Sequence, residues 1–200
     1  QEMLNEKLRI SGELHDNIGS QLSFIHSSIQ NLRTDPDQGT RSDLQETENI
    51  AVNAIRDLRQ TVWFINNSSF TADDFVIRLR EYIKPYQQIN NLAIAISNEV
   101  PADVVLSSAT ATHLFRILQE AINNAIKYAG ASEIDIQLRQ DGKDSMVVSI
   151  NDNGQGFDTT QHSNGFGLRN MKDRAQRSGG KLAITSAPDK GTSVEVSVPV

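Results

Sequence analysis

The sequence predicts a two-domain chain: an N-terminal antiparallel helical hairpin that pairs into a dimeric four-helix bundle, then a C-terminal α+β sandwich. Three observations lead there. Apolar residues recur at alternating steps of three and four in two stretches on either side of a turn containing Pro36 and Gly39, the period of bundle helices. Beyond residue 74 the period is mixed, with helical stretches alternating with short strands of period two. At 200 residues the chain is long enough for two cores.

The first helical stripe is Leu4, Leu8, Ile18, Leu22, Ile25, Ile29 and Leu32, with Ser11 and His15 in the two missing beats. "RTDPDQGT" at 33–40 breaks it as a turn. The second stripe is Leu44, Thr47, Ala51, Ala54, Leu58, Val62 and Ile65. A lone hairpin cannot cover its apolar face, so a homodimer is expected over residues 1–66. "NNSSFTADD" at 66–74 reads as a linker, set at 67–74, ending in a helix cap. The second domain, 75–200, then runs helix (75–86), strand (92–96), helix (107–129), strands (134–138 and 146–150) around "QDGKD", helix (165–178), and strands (182–185 and 193–198) around "APDKG". Strands joined by hairpin turns predict a mostly antiparallel sheet.

Composition removes several function classes. The net charge of −6 gives no basic footprint for sequence-independent nucleic-acid binding. With no cysteine there is no disulfide or thiolate chemistry. No apolar run approaches the roughly 20 residues that span a bilayer, and no signal peptide is visible. The chain opens inside a helical pattern at Gln1, so a longer parent is expected.

Three segments of the second domain carry chemistry. In "LQEAINNAIKYA", Glu120, Asn124 and Lys127 are spaced to share a helix face. The set reads either as a solvated face or as groups that orient a hard cation and its phosphates. In "NDNGQGFD", Asp152 ends an apolar strand, and Gly154 and Gly156 follow. That is either a hairpin turn or a carboxylate beside a close backbone approach. In "NGFGLRNM", Gly165 and Gly167 open a helix whose bare N–H groups suit a phosphate. There is no P-loop motif, and no strand leads into "GFGLRN" as a dinucleotide fingerprint requires.

In that order, "EAINNAIKYA", "DNGQG" and "GFGL" resemble the boxes of the Bergerat ATP-binding fold shared by histidine kinases, gyrase-type topoisomerases and mismatch-repair ATPases. The tail "GGKLAITSAPDKGTSVEVSVP" resembles the closing strands of the histidine-kinase version. The resemblance implies ATP and Mg²⁺ as cofactors. It implies that Asn124 holds the metal, that Glu120 positions water or the metal shell, and that Lys127 and Tyr128 contact phosphates. By the same resemblance Asp152 reads the adenine amino group, and Thr192 supports Asp152 through water. Gly154, Gly156, Gly165 and Gly167, with Leu168 of "GFGL", border a lid at about 153–166.

"ELHDNIGSQL" resembles the phosphoacceptor box of the histidine-kinase subfamily that works with helix-turn-helix response regulators. This implies autophosphorylation of His15, followed by transfer to a regulator aspartate. Asp16 can accept the Nδ1 proton of His15 and leave Nε2 as the nucleophile. His26, flanked by Ile25 and Ser27 with no carboxylate, reads as structural. Two positions depart from the subfamily: Tyr128 stands where histidine is usual, and Ser20 where glutamine often is. The expected protein is the cytoplasmic part of a sensor histidine kinase, reaching the membrane only through an N-terminal sensor region. The rival reading is a catalytically silent, dimeric nucleotide-binding scaffold. A topoisomerase or repair ATPase leaves the hairpin unexplained.

Overall fold

The computed structural model describes residues 68–89, 92–159 and 166–200, together with Ser27, Ala51, Val52, Ile55 and Trp63, each of which is helical. His15, Asp16, Ser20, His26 and Gly165 lie outside the described residues. The chain divides into two compact units, Gln1–Asn67 and Ser68–Val200. The second unit runs β1 (Ser69–Thr71), α1 (Ala72–Ile89), β2 (Ala93–Glu99), β3 (Val105–Ser107), α2 (Ser108–Asn124), a π turn (Ala125–Ala129), β4 (Glu133–Gln140), β5 (Ser145–Asp152), α3 (Phe166–Arg177), β6 (Lys181–Ser186) and β7 (Thr192–Pro199).

Thr71 and Asp74 cap α1 reciprocally. The Thr71 amide and hydroxyl donate to Asp74 Oδ2 at 3.0 and 2.7 Å, and the Asp74 amide donates to Thr71 Oγ1 at 3.1 Å, a capping box with aspartate in the acidic position. The hydrogen bonds from the Thr71 side chain and backbone hold the Asp74 carboxyl below its ordinary value. A depressed carboxyl stabilises the fold above its unfolded value, and that contribution disappears as pH falls through the folded value. Thr71→Ala is expected to cost about 1 kcal/mol, read as a lower melting temperature at pH 7 with a smaller difference in acid.

Helix α1 lies along β2 in the opposite direction. Asn98 Nδ2 donates to Asp73 Oδ1 at 2.8 Å near one end, and Gln87 Nε2 donates to the Ile94 carbonyl at 2.9 Å near the other. Phe75 and Tyr82 of α1 meet Phe115 of α2 edge-on at 6.0 and 5.7 Å. Ser107 caps α2 by accepting the Thr110 amide at 3.1 Å. The helix is then buried almost all round, from Thr110 to Ile122, leaving Glu120, Asn123 and Asn124 half-buried. β1 and β3 pair in a small antiparallel sheet. Residues 69–71, expected as linker, are therefore a strand, because Phe70 buries its ring in the second unit's core.

The main sheet has the order β2-β4-β5-β7-β6, with only β2 and β4 parallel. The helices cover one face. Ile134, Ile136 and Leu138 of β4, Met146, Val148 and Ile150 of β5, and Val194, Val196 and Val198 of β7 supply the apolar beats beneath them. On the opposite face Arg139 of β4 reaches Glu195 of β7 at 3.4 Å, an exposed pair spanning β5.

Candidate active site

The sheet register decides which end of the core turns polar. Ile134, Asp152, Thr192 and Ser186 stand opposite one another in turn across β4, β5, β7 and β6. Directly paired residues of an antiparallel ladder project to the same face. The helix-covered face therefore ends in a row that starts with buried Ile134 and continues through half-buried Asp152, Thr192 and Ser186.

Asp152 Oδ1 accepts the Gly154 amide at 2.9 Å. A Cβ on Gly154 would fall 2.4 Å from Ala129 Cβ and 2.7 Å from the Ala129 carbonyl oxygen, so glycine is what lets this loop lie against the π turn. Gly156 has φ +60°, and a Cβ there would fall 2.1 Å from the Ala187 carbonyl oxygen. Gly154→Ala is expected to overpack this contact at about 1–3 kcal/mol and to weaken nucleotide binding with it. Thermal unfolding and ATP titration check both, and a variant with wild-type values would remove the role given to the contact.

Residues 153–157, expected as the opening of a lid, are fixed in place. Asn153 Oδ1 accepts the amides of Ser132 and Glu133, each at 3.0 Å. The Gln155 amide donates to the Ala129 carbonyl at 2.9 Å, and its side chain donates to the Tyr128 carbonyl. The Asp189 amide donates to the Gln155 carbonyl at 2.6 Å, and the Phe157 amide donates to Ser186 Oγ at 2.9 Å. The side chains of Asn153 and Gln155, both exposed residues, thus bond to neighbouring backbone, and the loop's own backbone is held from both sides.

Glu120 and Asn124 stand one turn apart on α2, both half-buried. A Cβ on Gly167, in the first turn of α3, would fall 2.1 Å from Glu120 Oε1, so the carboxylate rests against the opening of that helix, with half-buried Leu168 beside it in sequence. Asn124 stands at the entry to the π turn, and its side chain makes no capping hydrogen bond. The expected stripe of Glu120, Asn124 and Lys127 does not continue as an α-helical face, because the helix widens at Ala125. Lys127 is exposed, and Tyr128 is 72% exposed.

Helix α2 and its π turn thus connect the opening of α3, met by Glu120, with Gly154, met by Ala129, and so with Asp152 and Thr192; Asn124 lies between the two contacts in sequence. Among the described residues no three His, Asp or Glu converge. Mg²⁺ does not need such a cage: it keeps water and substrate phosphate oxygens and takes one or two protein oxygens. The Asn124 amide oxygen and the Glu120 carboxylate are of that kind. Sequence reasoning missed Ser186, which reads as one polar beat of an alternating strand. Only the register shows that it stands beside Thr192.

Residues 6–68 match the family model described as histidine kinase. Residues 109–200 match the model described as histidine kinase-, DNA gyrase B-, and HSP90-like ATPase. The sensor histidine kinase LiaS of Bacillus subtilis (strain 168) is 28% identical over 200 residues, covering 98% of this chain and 54% of LiaS. The sensor protein VraS of Staphylococcus epidermidis is 28% identical over 211 residues, covering 98% of this chain and 56% of VraS. The chain spans about half the length of these curated relatives. Among solved structures, the Acinetobacter baumannii histidine kinase AdeS shares the fold with a TM-score of 0.63 at 14% identity, over 92% of this chain and 97% of that one.

Proposed function

Because the chain belongs to the histidine kinase family, with a histidine kinase segment followed by a GHKL-type ATPase domain, we propose that it phosphorylates itself on His15 from ATP and passes the group to an aspartate of a response regulator. The observation that carries this reading is that α2 and its π turn join two features: Glu120 meets the first turn of α3, and Ala129 meets Gly154 beside the Asp152–Thr192 pair. A carboxylate at a strand end accepts the adenine amino group. Glycines let the backbone approach the nucleotide. The opening of α3 offers N–H groups to phosphate.

His15 Nε2 attacks the γ-phosphorus, and a nitrogen–phosphorus bond forms. The bond from that phosphorus to the β,γ-bridging oxygen breaks, and ADP departs with the electron pair. The Nδ1 proton passes to Asp16, which otherwise holds the imidazole in the reactive tautomer. Asn124 and Glu120 would hold Mg²⁺, which when bound offsets phosphate charge. Phosphoryl transfer depends mainly on such positioning and charge. When the group moves to the regulator's carboxylate oxygen, the N–P electron pair stays on the ring nitrogen and Asp16 returns the proton to the ring, which restores a neutral imidazole.

The partners in this proposal are a second copy of the chain, through the hairpin, and a regulator of the helix-turn-helix output type. No described helix is long and apolar enough to cross a membrane. In this role the region is the cytoplasmic transmitter of a sensor. Incubation with γ-labelled ATP tests it. Acid-labile, base-stable label on the protein supports it, and nucleotide binding without label favours the silent scaffold.

A further inference from the structure

We propose that Ser186 sets the hydrogen-bond polarity of the base site. It is a positioning residue that makes Thr192 and Asp152 a pair of acceptors, selecting a purine that carries an amino group at its 6-position. The inference rests on the reading of Asp152 as the carboxylate that meets the base.

A serine hydroxyl has one hydrogen and two lone pairs, and the structure accounts for all three on Ser186. The hydrogen goes to the Gly191 carbonyl at 2.8 Å. One lone pair accepts the Phe157 amide at 2.9 Å. The remaining contact, with Thr192 Oγ1 at 3.1 Å, then requires Thr192 to be the donor. Its only hydrogen is spent there, so toward the base site Thr192 offers lone pairs alone.

Asp152 stands directly across the β5–β7 ladder from Thr192. Such pairs bring their Cβ atoms to about 4.5–5.5 Å on the same face. Its Oδ1 is committed to the Gly154 amide, and a carboxylate has no hydrogen to give. The two side chains therefore present acceptors side by side. An amino group donates into that pair, directly or through a water that donates to both. The keto oxygen of guanine at the same position sets acceptor against acceptor and leaves groups that the base would cover without a donor. Without Ser186 the Thr192 hydroxyl is free to turn and offer its hydrogen to a keto oxygen.

The test titrates the whole chain with ATP, GTP and purine riboside triphosphate, which has no substituent at the 6-position. Ser186→Ala is expected to narrow the ratio of ATP to GTP affinity by about tenfold and to narrow the ratio of ATP to purine riboside triphosphate as well. A loss equal for all three nucleotides is what a purely structural role produces, and it overturns the inference. Thr192→Val, which swaps the hydroxyl for a methyl, is expected to narrow the same ratios. The double variant is expected to show no further narrowing, since both changes break one connection. If Ser186→Ala fails to fold, unchanged ratios in Thr192→Val overturn the inference on their own. A wild-type chain that binds ATP no better than purine riboside triphosphate, or binds no nucleotide, overturns instead the assignment of Asp152.

Discussion

His15→Gln is expected to abolish labelling of the chain by γ-labelled ATP while leaving ATP affinity near wild type. His15 falls in the first unit, Gln1–Asn67, and the residues proposed to hold the nucleotide fall in the second, Ser68–Val200. Glutamine keeps a polar side chain of similar length but has no ring nitrogen to form the phosphorus bond. The effect is therefore all-or-none rather than graded. His26→Gln is the matched control: it removes a histidine eleven residues further along the same helical pattern, and it is expected to label as wild type does. Labelling rate and an equilibrium ATP titration on both variants decide it. Label that persists in His15→Gln and vanishes in His26→Gln would move the nucleophile to the second position.

Asn124→Ala is expected to lower the labelling rate by at least about 10²-fold in a chain that still folds. Losing a single preorganised group at a site of developing charge typically costs that much. Its side chain makes no capping hydrogen bond, so truncation removes little that holds the fold. Asn124→Asp is expected to fail as well. It keeps an oxygen at the same place but sets a second carboxylate one turn from Glu120, an unfavourable like-charge spacing. Circular dichroism establishes folding, and the initial labelling rate gives the effect. Labelling of Asn124→Ala at the wild-type rate would remove Asn124 from the phosphate end of the site.

The major elements of the second unit were legible because each has a strong local signal. Alternation marks β4, β5 and β7, and a long apolar run with a serine cap marks α2. What local pattern could not give falls into two kinds. β1 and β3 are three residues each, too short to show a period, and they exist because Phe70 and Leu106 are buried. Local pattern alone gives ordinary helix at the π turn, because "AIKYA" has no breaker until Gly130. The widening is visible only where Gly130 N–H reaches the Ala125 carbonyl. At the site, Asp152, Gly154 and Gly156 were readable from a glycine box at the end of an apolar strand. Ser186 was not, because a hydroxyl in a strand gains its meaning from the residue across the ladder. Nor does local pattern show that the exposed Asn153 and Gln155 hold the loop through their side chains.

The pairing of Asp152 with Thr192 also has a consequence for errors of assembly. Side chains alternate with a period of two, so sliding β7 by one residue against β5 would set Gly191 or Ser193 opposite Asp152 and break up the polar row. The same slip would turn Val194, Val196 and Val198, which are 5, 0 and 1% exposed, out to water. At roughly 1.5 kcal/mol or more for each exposed valine, misaligned chains would number about one in a thousand or fewer. The register that the proposed base recognition needs is thus enforced along the length of the strand, by methyl groups remote from Asp152.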